Sequence, residues 1–376
     1  MKDYLVSNIQ PNSFFTKALL LDKAFIITAP EMPFSPELSE ILEKWSFKTV
    51  YSDGEQSDVP DLGTGIDDGA SAISQQSDAE KLEKAEEFYT NFLSFTEILF
   101  TKATVSSDLD QKEVTDRVKD MIEYIKEDRR FLMRVLKKIE PAKNKNYLAT
   151  HSVRSTIIAI IIGSYLKLPN HRLLELGVAA IVHEVGMLKL PASIYLNDKP
   201  LNASEQKAIV THPVLGYSML KSLDFPLPIC LAALEHHERE NSTGYPRRLT
   251  SDKISLYSKI ISVACSYEAL SSKRPHKEEK DGYTGMLELL KNEGKQYDDT
   301  VVKALVLSLS IYPIGLYVLL SNNMKGQVVD VNPENPRFPI VQIFGETSPD
   351  GRVLTMQTSQ DTLTIVRPLT RAEIDT

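Results

Sequence analysis

From Ala79 to about residue 310, apolar side chains return every three or four positions, and this periodicity decides most of what the chain can become. Leu82, Ala85, Phe88, Phe92, Phe95, Ile98 and Leu99 mark one face of a first helix. Val114, Val118, Ile122, Ile125, Phe131 and Val135 mark a second, from about Asp108. A strand cannot use that spacing, because its side chains alternate with a period of two. After Tyr312 the pattern changes to strand-like runs at Gly315–Leu320, Gln327–Val331, Ile340–Phe344, Val353–Gln357 and Leu363–Val366, divided by turns rich in Asn, Gly and Pro.

Ahead of the helices the chain is more mixed. Residues 1–53 combine short apolar runs (Ala18–Leu21, Ala24–Ile27) with a helix-like stretch, Ser35–Trp45, and a further run, Lys48–Tyr51, which predicts a small α+β module. Residues 54–80 are rich in Gly, Ser, Asp and Gln and hold few large apolar side chains, so they are expected to be a flexible acidic linker. The expected architecture is mainly α: a module at 1–53, the linker at 54–80, a helical domain at 81–311 and a short β-rich C-terminal tail at 312–376. The helices between Ala79 and Glu140 have two readings, a coil that makes a homodimer or transmits a signal, and a layer packed on the core. The second of them is read as packing.

A formal net charge of -8 argues against a general nucleic-acid binder, so no DNA partner is expected. It leaves room for a small anionic ligand, because bound cations reverse the local field. The two cysteines, Cys230 and Cys265, make no disulfide framework, and the first residues, MKDYLVSNIQPNS, lack the apolar stretch of a signal peptide. Ile157–Ile162 is too short to span a bilayer, and Ala304–Leu320 is interrupted by Pro313 and Gly315. These features predict a cytoplasmic protein without membrane insertion.

All seven histidines, His151, His171, His183, His212, His236, His237 and His276, fall between residues 151 and 276. A single histidine is more often a helix cap or a surface residue, but a confined set points to transition metals, for which neutral imidazole is a preferred ligand. The pair His236-His237 precedes Glu238, and neighbours on a helix point about 100° apart, so the two rings can serve one ion or two. His183-Glu184 follows the apolar run Leu176–Val182 and precedes Gly186. A carboxylate there can bridge two cations, and two ions roughly 3.5–4 Å apart can activate a water and stabilise both oxygens of a phosphodiester under in-line attack. Alone, the pair reads better as a helix C-terminal pair.

Read in order, the chain carries THS from Thr150, VHEVGMLKLP from Val182, THPVLG from Thr211, EHHERENSTGYP from Glu235, ISVACSYEAL from Ile261 and KRP from Lys273. This succession resembles the HS, HDxGK, HP, HHERxDGxGYP, ADxxDAL and RP blocks of the HD-GYP domain, with compatible spacing. The resemblance implies an all-helical HD-type core and a bacterial phosphodiesterase that hydrolyses cyclic di-GMP to linear pGpG or to GMP. It implies two divalent metals, iron or manganese with zinc as an alternative, held by His151, His183, Glu184, His212, His236, His237 and Cys265. Glu184 and Lys189 are the implied catalytic residues. Gly244, Tyr245 and Pro246, with Arg247 after them, are the implied contacts to substrate or to a partner such as a diguanylate cyclase or an adaptor protein. By the same resemblance residues 1–53 would be a sensory or adaptor module.

Several positions depart from the family pattern. Glu184 stands for its aspartate and Cys265 for another, and the lysine after HDxG is Met187. Cys265 is either a soft thiolate ligand favouring zinc or iron, or a small core residue. Arg247 is either a phosphate-pairing guanidinium or a solvated loop residue. Asn241-Ser242 replaces Asp-Gly, and Tyr147 occupies the place of the glutamate that serves a third metal. The alternative is a degenerate domain that binds cyclic di-GMP or a signalling partner without turnover.

Overall fold

Ser35 followed by Pro36 is a helix start written in sequence, since proline needs no donor in a first turn. In the computed structural model Pro36–Lys44 is helix α1, and the Ser35 hydroxyl accepts the amide of Leu38 at 3.2 Å. The structure describes residues 2–17, 19–21, 26–28, 33–44, 47–57, 68–138, 147–195, 202–271, 282–332, 335–347, 353–360, 362–369 and 373–374. The chain divides into two units, Met1–Ser74 and Gln75–Thr376.

In the first unit β1 (Lys2–Leu5), β3 (Leu19–Leu20), β4 (Ile26–Thr28) and β5 (Thr49–Ser52) form an antiparallel sheet in the order β1-β5-β3-β4. β2 (Phe14–Phe15) pairs separately with β6 (Gln56–Ser57), so the module runs past residue 53. Val6, Ile9, Phe15, Leu19, Phe34, Leu42 and Val50 form its core.

The linker expectation needs correction at its C-terminal end. Helix α2 spans Asp68–Ser106 and so begins inside that stretch, while residues 58–67 lie outside the described residues. Once a helix is nucleated, each added residue contributes one hydrogen bond at little entropic cost. Ala70, Ala72 and Ala79 favour that extension more than the neighbouring glycine and serines oppose it.

The second unit continues with α3 (Gln111–Lys138), α4 (Tyr147–Tyr165), α5 (Asn170–Val182), α6 (Ala192–Tyr195), α7 (Ala203–Ile209), α8 (His212–Ser222) and α9 (Leu227–Glu235). It is completed by α10 (Leu256–Ser271), α11 (Gly282–Lys291) and α12 (Asp299–Leu309). Tyr89, Phe92, Phe95 and Leu99 of α2 and Val114, Val118 and Ile125 of α3 join the same apolar core as α4, α5 and α10. Both helices therefore pack on the core. Ile98, read as part of the buried face, is 57% exposed.

Helix α4 is the centre. Every residue from Leu148 to Gly163 is buried, and α5, α10 and α12 pack around it. Such burial on all sides explains why Ile157–Ile162 is so apolar. Among the described residues no helix is long and apolar enough to cross a membrane. The other apolar run divides: α12 ends at Leu309 and a strand starts at Tyr317, with Gly315 turning at φ 90. β7 (Tyr317–Leu320), β8 (Lys325–Asp330), β9 (Ile340–Thr347), β10 (Val353–Gln357) and β11 (Ile365–Pro368) form an antiparallel sheet ordered β10-β9-β8-β7-β11, as the strand pattern foretells.

Two glycines set how α8 meets the turn after α5. A Cβ built on Gly186 would lie 1.9 Å from the His212 carbonyl oxygen and 2.6 Å from the Gly216 amide nitrogen. Backbone there cannot retreat cheaply, and overpacking of this kind costs about 3 kcal/mol. Gly186→Ala is accordingly expected to destabilise the protein by about that amount in urea unfolding, and to weaken metal binding because His212 moves with the strained carbonyl.

Candidate metal centre

Imidazoles arrive at one point from four helices. His151 projects from α4, His183 caps the C-terminus of α5, His212 opens α8, and His236 caps α9 with His237 next to it. The helix ends settle which nitrogen faces inward. Nδ1 of His183 donates to the Ala180 carbonyl at 2.6 Å, that of His212 to Ile209 at 2.7 Å, and that of His236 to Ala233 at 2.9 Å. A carbonyl only accepts, so each Nδ1 carries the proton and each Nε2 presents a lone pair.

These lone pairs converge on Glu184. One group, whose ligand atoms all lie within 4.8 Å of one another, is Glu184, His212, His236 and His237; a second is His151, His183 and Glu184. Glu184 belongs to both. Its Oε1 lies 3.7 Å from Nε2 of His151 and 3.7 Å from Nε2 of His183, and its Oε2 lies 3.3 Å from Nε2 of His212.

Electrostatics make the arrangement costly for the side chains alone. Burial pushes His183 down to about 4, and burial with the neighbouring rings holds His236 and His237 well below the ordinary histidine range. Burial would raise the Glu184 carboxyl, but His212, His183, His151 and His237 outweigh it and bring it down to about 2. Nε2 of His212 nevertheless faces Nε2 of His236 at 3.1 Å, lone pair against lone pair. His183 Nε2 and Glu184 Oε2 are buried without a hydrogen-bond partner. Buried polar atoms left so are costly. Divalent cations fit this donor set, since they accept every one of these lone pairs at once.

Residues 136–301 match the family model described as HD domain. The chain is 31% identical over 201 residues, 54% of its length, to the cyclic di-GMP phosphodiesterase PdeB of Borreliella burgdorferi, covering 53% of that protein. It is 34% identical over 142 residues, 37% of its length, to the 3'3'-cGAMP-specific phosphodiesterase 3 of Vibrio cholerae, covering 30% of that protein. The chain thus spans about half the length of the first relative and less than a third of the second. Among solved structures it is similar to Bd1817, a HDG"Y"P protein from Bdellovibrio bacteriovorus, with TM-score 0.49 and 13% identity over 81% of this chain and 97% of that one, a likeness too remote to carry weight. The segment that is similar to an HD domain, residues 136–301, thus holds every imidazole of the centre.

Within that segment the GYP loop folds onto the centre. The Tyr245 ring stacks on His237, 4.6 Å between centroids, and burial raises its phenol well above the usual tyrosine range. Gly244 has no room for a side chain: a Cβ would meet Arg239 N at 2.4 Å and His237 O at 2.5 Å. Two glutamates that sequence reasoning missed hold this loop. Glu238 accepts the amides of Arg247 at 2.7 Å and Leu249 at 2.9 Å. Buried Glu235 pairs with the Arg247 guanidinium and accepts from Ser258 Oγ at 2.9 Å. Their signal was their place on either side of the histidine pair.

Three expectations change. Lys189 is exposed and donates to Ser107 at 2.6 Å, because the short 3-10 turn Val185–Lys189 points it outward, away from the imidazoles. Cys265 is buried in α10, donates to the Ser262 carbonyl at 3.5 Å, and joins neither ligand group. Its burial and its bond to the helix backbone favour the core reading. Arg247 pairs with Glu235 while its side chain stays 42% exposed, so it is a solvated loop residue that also braces the loop. Met187 is buried in the apolar core. His171 is exposed on α5, and His276 and the Lys273–Pro275 block lie outside the described residues. A further carboxylate, Glu268, contacts Nδ1 of His151.

The depressed histidines set a pH dependence for the metal-stripped protein. Between about pH 4 and 6.5 the unfolded chain binds a proton at His183 that the folded chain refuses, so stability falls as pH drops through that window. Glu184 acts in the same direction, losing its contribution as pH falls from 4.5 towards 2. Thermal melts of metal-free protein should show a decline on the order of 3 kcal/mol from His183 alone, and His183→Asn should flatten the slope.

Proposed function

We propose that this domain is a metal-dependent phosphodiesterase that hydrolyses cyclic di-GMP to linear pGpG, to GMP, or to both. One observation carries the reading: the Glu184 carboxylate is shared between two imidazole clusters, the position a bridging ligand of a binuclear centre must occupy. The name of the Borreliella relative supports the substrate, and that of the Vibrio relative makes 3'3'-cGAMP the first competitor to compare.

Five imidazoles and one carboxylate suit iron or manganese, with zinc an acceptable alternative. When bound there, two such ions supply an acidified water as nucleophile and neutralise phosphate charge. The protein's own part is separate. His151, His183, His212, His236 and His237 hold their ring nitrogens in place, and burial keeps protons from competing for His183, His236 and His237. Glu184 supplies the anionic bridge. Tyr245 keeps its phenol proton and so offers a hydrogen-bond donor beside His237, where a phosphate oxygen can take it. Arg247 acts as the brace of that loop through Glu235. The N-terminal unit is the proposed sensory or adaptor part, and a reducing cytoplasm the proposed setting, in keeping with two buried thiols outside any disulfide.

A second reading, binding without turnover, is favoured by one specific placement. The family lysine is a core methionine, Met187, and Lys189 does not take its place. The two readings separate on one anaerobic preparation supplied with iron and manganese, assayed for metal content and for cyclic di-GMP and 3'3'-cGAMP turnover. The enzyme reading expects two metals per chain and linear product, with Glu184→Gln lowering turnover at least about 100-fold and metal content with it. A protein without metal sinks both the centre and the enzyme. Metal and nucleotide bound with no product over hours gives the second reading instead, in which Met187→Lys with Cys265→Asp should create activity.

A further inference from the structure

The metal-ligand reading leaves a charge problem that Glu268 answers. Two divalent ions would meet, within the two clusters, a single carboxylate, Glu184. The position where the family supplies another aspartate is Cys265, whose thiol turns to the Ser262 carbonyl. One helical turn further along α10, Glu268 is buried to 2% exposure and its carboxylate contacts Nδ1 of His151.

That contact distinguishes His151 from the other ligands. His183, His212 and His236 each give Nδ1–H to a neutral carbonyl of their own chain segment. His151 cannot, because it lies inside α4, where the carbonyls one turn back are engaged in the helix. Its Nδ1 is met by an anion from another helix, while Tyr147 stacks on its ring at 5.9 Å between centroids. A carboxylate on the far nitrogen fixes the tautomer and makes the metal-facing nitrogen a stronger donor.

We infer that Glu268, which stands at the second acidic position of the same block, is a positioning residue that orients His151 and strengthens its metal-facing nitrogen through the imidazole. The inference rests on the reading of the two clusters as a metal centre, but not on turnover.

The test is the affinity of each site for Mn2+ in full-length protein, by competition with a chelator, alongside the melting temperature of the metal-free form. Glu268→Gln keeps an oxygen that can accept from Nδ1 and removes only the charge. It should leave the metal-free melting temperature close to the parent and weaken one Mn2+ of the two by about 10–100-fold. Glu268→Asp, which keeps the charge, should bind more tightly than Glu268→Gln, and this ordering serves if the glutamine variant does not fold well enough to titrate alone: the aspartate variant must then still bind two Mn2+. Cys265→Ser should leave both affinities unchanged. Parent-like affinity in Glu268→Gln, or loss of a metal in Cys265→Ser, overturns the inference. Failure of the phosphodiesterase reading looks different: both metals bind as described and no nucleotide is cleaved.

Discussion

Two buried imidazole nitrogens that face each other without a proton between them are the constraint from which the rest of the helical unit follows. His212 and His236 are held by backbone carbonyls with their Nε2 atoms facing one another, and burial opposes protonation of His236. Only positive charge placed between the rings makes such a geometry favourable. Four helices must end or pass at one point for this to arise. The short turn after α5, the glycine contact between that turn and α8, and the central burial of α4 are the means by which they do so.

The loop that follows the histidine pair depends on the same point. Glu235, His236, His237 and Glu238 are consecutive, yet they divide into two tasks. The inner pair faces the centre, and the outer pair accepts from Arg247, Leu249 and Ser258. Carboxylates buried this deeply are tolerated because each is met by several donors. The Tyr245 ring is thereby set against His237 by backbone contacts rather than by its own packing alone. Loop and ligands move as one piece.

Much of this was legible from residue order. Helical periodicity identified α2 and α3, alternation identified the terminal sheet, and confinement of histidines to one window identified His151, His183, His212, His236 and His237. Glu184 was legible only through the resemblance, since the His183-Glu184 pair by itself reads as a helix C-terminus. What was lost required three-dimensional information. The block alignment marks both Cys265 and Glu268 as aspartate positions, but only the structure shows that Glu268 meets His151 while the Cys265 thiol turns to the Ser262 carbonyl. Lys189 failed for the same reason: proximity in sequence does not say which way a 3-10 turn aims a side chain. The early start of α2 went unread because composition averages over serines and glycines that a nucleated helix can absorb.

A helix without a solvent-facing stripe, as α4 is from Leu148 to Gly163, cannot fray or slide unless the surrounding core opens. Its amide hydrogens belong to the slowest-exchanging class, those released by global unfolding alone. His151 therefore sits on the least mobile element of the unit, while Tyr245 and Arg247 sit on an irregular segment at its surface. The braces from Glu235 and Glu238 tie that segment to the histidine pair, so its exchange protection should rank next below that of α4.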